Sequence, residues 1–143
     1  MRQRTQSREL ALQTLYQLNF HPDVTSTQSS NVTDLFPERR SGAKIIEYAK
    51  ELVDGYFKHR HQIDDIIRKC ATNWKFERIA LVDRAILQLA AYELLFCDDI
   101  PRAVAINEAV ELAKKYGSAG SPSFVNGVLD KIASENKKKL FVS

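Results

Sequence analysis

A chain of 143 residues has the size of one compact domain, two small subdomains being the alternative. With 44% hydrophobic and 27% charged residues it holds enough apolar surface to offset the entropy of ordering, which excludes an intrinsically disordered chain. The net charge of +3 is modest, but it is concentrated: Arg2, Arg4 and Arg8 stand at one end with no acid among the first eight residues, and Lys137, Lys138 and Lys139 stand near the other.

From Ser7 to Phe20 the residues Ala11, Leu12, Leu15, Tyr16 and Leu18 recur at the three-and-four spacing of one helix face, so a first helix is expected there. His21-Pro22 stops it, and residues 21–42, rich in Ser, Thr, Asn and Asp with Pro37 and Gly42, read as a long connection. Residues 43–58 carry a second helical stripe through Ile45, Ile46, Ala49, Leu52, Val53, Tyr56 and Phe57, and Ile63, Ile66, Ile67 and Cys70 mark a third helix. Trp74 to Arg78 read as a bend or short turn.

The stretch 80–96 is apolar on most of its circumference, as suits a helix surrounded by others. Asp83, Arg84, Gln88 and Glu93 interrupt it at too high a cost in hydrocarbon for a membrane span. Asp98-Asp99-Ile100-Pro101 leads into a fifth helix that runs to Tyr116, where Gly117 is expected to supply a left-handed stop. Ser121-Pro122 then reads as an N-cap and first-turn proline before a last stripe of Phe124, Val125, Val128, Leu129 and Ile132. No segment reads as a strand.

The residues offer little to catalysis. His21, His59 and His61 do not cluster with Cys70 or Cys97 at ligand spacing, so no metal is expected. The five glycines form neither a P-loop nor a dinucleotide fingerprint, and Glu111 four residues before Lys115 is ordinary surface pairing, so neither an enzyme nor a cofactor is expected. With no C-x-x-C and no secretory signal, reduced thiols and a cytoplasmic location follow. RNA suits the pattern better. The N-terminal arginines can neutralise phosphates, the start of the last helix can present backbone N–H groups to an anion after Gly120-Ser121-Pro122, and Phe124 can offer a ring to an unstacked base. Against this stand basic ends that serve solubility alone and a Phe124 that is plain core.

Four motifs in order carry a resemblance. R-E-L-A-L-Q-T-L-Y (8–16), Trp74 with Arg78, Asp83, Ile86-Leu87 and Ala91-Tyr92-Glu93-Leu94, A-I-N-E-A-V-E-L-A-K within 101–114, and F-V-N-G-V-L-D (124–130) are similar to the signatures of the NusB family. The resemblance implies an all-α fold of two packed three-helix bundles, as one domain over 1–143 with halves of about 1–73 and 74–143. It also implies a non-catalytic transcription antitermination factor that binds boxA RNA together with the ribosomal protein NusE in the transcription elongation complex. Carried over, it makes Arg4, Arg8, Ser121 and Phe124 the expected RNA contacts, with Arg2 added by charge, and Phe124 is expected to be at least half exposed. Glu77 and Asp83 are the choices for an acidic surface facing NusE. Related domains fused to RNA methyltransferases need a further domain that 143 residues cannot hold. The rival is therefore a helical module that binds only protein.

Overall fold

The computed structural model describes residues 2–20 and 42–136; the side chains of Arg2 and Phe20 lie outside the described set, as do Lys137, Lys138, Lys139 and all of the expected 21–42 connection except Gly42. The described residues form six α-helices and one short 3-10 turn: α1 (Arg2–Phe20), α2 (Ala43–Lys58), α3 (Arg60–Cys70), the turn Phe76–Arg78, α4 (Leu81–Phe96), α5 (Arg102–Tyr116) and α6 (Ser121–Glu135). No strand occurs among them. The chain divides into two compact units at Lys58 and His59.

In the first unit α1 packs against α2. Leu10, Ala11, Leu12, Leu15 and Leu18 of α1 are buried, as are Tyr48, Ala49, Leu52, Val53 and Tyr56 of α2. Helix α1 begins five residues before the expected Ser7. That residue is an interior one whose buried hydroxyl lies 3.0 Å from the Gln3 carbonyl one turn back and 2.8 Å from the Ile45 carbonyl of α2. A serine in mid-helix that bonds its own preceding turn is a known alternative to capping, and here the same hydroxyl also ties the two helices together.

In the second unit α4 is the central element, in contact with α3, α5 and α6, while α6 also packs on α3 and α5. Its buried residues include Ile86, Leu87, Leu89, Ala91 and Leu94, which explains why its sequence is apolar almost all round. The buried Gln88 amide donates to Asp64 Oδ1 of α3 at 3.1 Å, so two polar side chains meet inside an otherwise apolar contact. Phe76 is buried beneath two cations: the Arg68 guanidinium lies 4.4 Å and that of Arg84 5.0 Å from its ring centre, and Arg84 also donates to the Phe76 carbonyl at 3.3 Å. These contacts hold the turn against the start of α4.

Gly117 does end α5, but not in the left-handed region: its φ is −95° and its ψ −166°. Glycine is needed there for space. A Cβ would come within 2.5 Å of Ser121 Oγ and 2.8 Å of the Ala113 carbonyl. The start of α6 also departs from expectation. The cap is Gly120, and Ser121 is the first helical residue, its buried Oγ accepting from the Ser118 N–H at 2.9 Å and lying 3.2 Å from Ser118 Oγ. The serine thus closes the α5–α6 turn from the C-terminal side.

A candidate RNA and protein interface

Two groups of the expected site residues can be placed, one in each unit. In the first unit Arg4 and Arg8 stand one helical turn apart on the same face of α1 and share a ring. The Arg4 guanidinium is 4.4 Å and that of Arg8 5.8 Å from the centre of Tyr48. They differ in access. Arg4 is exposed, whereas Arg8 is 5% exposed. The side chain of Arg2 lies outside the described residues.

In the second unit the first turn of α4 and the α5–α6 turn enclose a groove of about 290 Å³, whose lining includes Trp74, Arg78, Asp83, Ser118, Ser121 and Phe124. Three of the expected residues therefore meet at one place. Phe124 was expected to be at least half exposed, and it is not: it is part-buried because Trp74 packs edge-on against it, ring centres 5.8 Å apart at 73°. The open aromatic surface belongs instead to Trp74, which at 56% is the large apolar side chain most open to solvent among the described residues. The reading of a last-helix anion site also weakens. The Ser121 N–H bonds the Ser118 carbonyl, Pro122 has no N–H, and the Phe124 N–H bonds the Gly120 carbonyl. Ser121, at 2% exposed and with its hydroxyl engaged by Ser118, shapes the groove wall and does not offer it a free hydroxyl.

Asp83 is the unusual member. It is 8% exposed, lies in the first turn of α4, where the helix dipole favours a negative charge, and its Oδ1 has no hydrogen-bond partner among the described residues. A carboxylate oxygen kept from both water and donors is costly unless a cation or donor completes it. Glu77, by contrast, is exposed and reaches Arg68 at 4.0 Å, a surface pair of small energetic weight. The sequence passes over Tyr48, and it marks Trp74 as part of a bend and of a family motif without assigning it to a site. The signal available for Trp74 was a large aromatic set among polar neighbours, Asn73 and Lys75; Tyr48, three residues after Ile45 and four before Leu52, falls on the helical stripe of 43–58, but its contact with the arginines depends on a helix far away in sequence.

The NusB family model matches residues 5–134. The chain belongs to the NusB family. It is 48% identical over 132 residues to the transcription antitermination protein NusB of Anaeromyxobacter sp. (strain Fw109-5), covering 92% of this chain and 90% of that one. It is 41% identical over 140 residues to that of Syntrophus aciditrophicus, covering 97% and 84%. Among solved structures, T. maritima NusB superposes with a TM-score of 0.83 at 37% identity, covering 95% of each chain. NusB from a complex of the antitermination factors NusB and NusE with dsRNA superposes with a TM-score of 0.80 at 31% identity, covering 94% of this chain and 98% of that one. The all-helical NusB fold expected from the motifs is the fold observed. No described helix is long and apolar enough to cross a membrane, and no group of three or more potential metal ligands occurs among the described residues.

Proposed function

We propose that this chain is a transcription antitermination factor that binds boxA-type RNA jointly with NusE, without catalysis of its own, in the cytoplasm. The observation that carries the reading is the near full-length likeness to a NusB whose complex contains both NusE and RNA. Within it, Arg4 is the direct phosphate contact on the first unit, and Arg8 adds its field from below. Arg2 extends the same basic segment.

On the second unit the Trp74–Phe124 pair offers a stacking surface beside Ser121, and single-stranded RNA is commonly read through such rings. Asp83, with its unpartnered oxygen, and the exposed Glu77 form the acidic face for NusE. A cationic side chain of the partner placed at Asp83 would restore the interaction that burial withholds. The test is a titration of single-stranded boxA-like RNA, with and without NusE, over a range of salt. Tighter binding in the presence of NusE and a negative log–log salt slope are expected; salt-independent binding, or the same affinity for an unrelated strand with NusE present, refutes the reading.

A further inference from the structure

The Arg4–Arg8–Tyr48 cluster has a feature that the RNA reading does not require: two guanidinium groups converge on a single aromatic ring. Like charges one helical turn apart repel, and a long exposed arginine ordinarily samples many rotamers. The electron-rich ring that the two cations share attracts both, which opposes that repulsion and favours one placement for each. The ring is itself fixed. Tyr48 is 8% exposed, and the Ser7 hydroxyl, between the two arginines in sequence, reaches the Ile45 carbonyl one turn before Tyr48 at 2.8 Å.

We propose that Tyr48 is a positioning residue for RNA binding: its ring holds the Arg4 guanidinium in the orientation that meets a phosphate, with Arg8 as the buried second cation against the same ring. The inference rests on the RNA reading of Arg4 and adds a residue that touches no RNA. Pre-ordering a flexible cation lowers the entropic cost of binding, so the contribution of Tyr48 must act through Arg4.

The experiment measures the affinity of the full chain, with NusE present, for single-stranded boxA-like RNA in Tyr48→Phe, Tyr48→Leu, Arg4→Ala and the Arg4→Ala/Tyr48→Leu double variant. Tyr48→Phe keeps the ring and should bind as the parent does. Tyr48→Leu should bind roughly two- to fivefold more weakly, the range of one exposed cation–π contact, and should add nothing to Arg4→Ala. A folded Tyr48→Leu with parental affinity, or a loss that is additive with Arg4→Ala, overturns the proposal. If the leucine variant does not fold, phenylalanines of rising fluorine content at position 48 keep the shape while weakening the ring's negative face; affinity must then fall with fluorination, and a flat series overturns the proposal equally. Arg4→Ala with parental affinity defeats the RNA reading of Arg4 itself, an outcome distinct from failure of the tyrosine's role alone.

Discussion

Truncation of Phe124 distinguishes a stacking platform from a core ring, and its part-buried position sets the magnitudes. A fully buried phenylalanine costs about 3–5 kcal/mol when cut to alanine. Phe124 keeps one part of its surface in the groove and loses an edge contact with Trp74 that is worth about 0.5–1.5 kcal/mol. Phe124→Ala should therefore destabilise by about 2 kcal/mol, more than a free surface ring and less than a core one, which lowers the melting temperature by roughly 6–10 °C in a chain of this size. One lost stack costs about 1–3 kcal/mol of RNA binding, or roughly five- to 150-fold in affinity. Phe124→Leu separates the two effects, since it restores most of the apolar volume but no π face: stability should recover to within about 1.5 kcal/mol of the parent while RNA affinity stays low. Thermal melts and RNA titrations of both variants make the comparison, with affinity scored per folded molecule. A leucine variant that binds RNA as the parent does would show that the ring serves packing alone, and stacking would then have to be assigned to Trp74 or abandoned.

Arg4→Ala should weaken RNA binding and reduce the log–log salt slope by roughly 0.7 for one lost phosphate contact to a single strand, with unchanged helical content by circular dichroism. Asp83→Asn keeps the shape of the groove floor but removes its charge; NusE retention in a pull-down should fall while the melting temperature holds or rises, and full retention would place the partner elsewhere. Gly117→Ala should destabilise by about 1–3 kcal/mol, because its Cβ overlaps Ser121 and must break the Ser118–Ser121 turn; a neutral effect in a denaturant titration would mean the turn relaxes freely. Burial raises the Asp54 carboxyl above its ordinary value, against the lowering effect of Lys50. The folded state thus binds this proton more tightly than the unfolded one, and the group's contribution to stability is lost as pH rises through its raised range. Asp54→Asn should accordingly raise the melting temperature at pH 7, with a gain that shrinks as pH falls towards the ordinary carboxylate range.

The helices were legible in sequence because their signal is local. The 43–58 stripe coincides with α2, and the nearly all-round apolar 80–96 segment becomes the central α4, since a periodicity of 3.6 reports which face is buried without naming the neighbour. The family motifs reach further, bringing the expected RNA and partner residues into view by number. What lay beyond the sequence depends on pairs distant along the chain. Trp74 covers Phe124 from fifty positions away, Gly117 is glycine because of the Ser121 side chain and not because of its own torsions, and Arg4 and Arg8 acquire a common ring only when α2 brings Tyr48 to α1. A side chain's exposure and its partner are properties of two surfaces at once, so one-dimensional spacing shows that a ring or a charge is present, and only the packed helices decide whether it faces solvent or another residue.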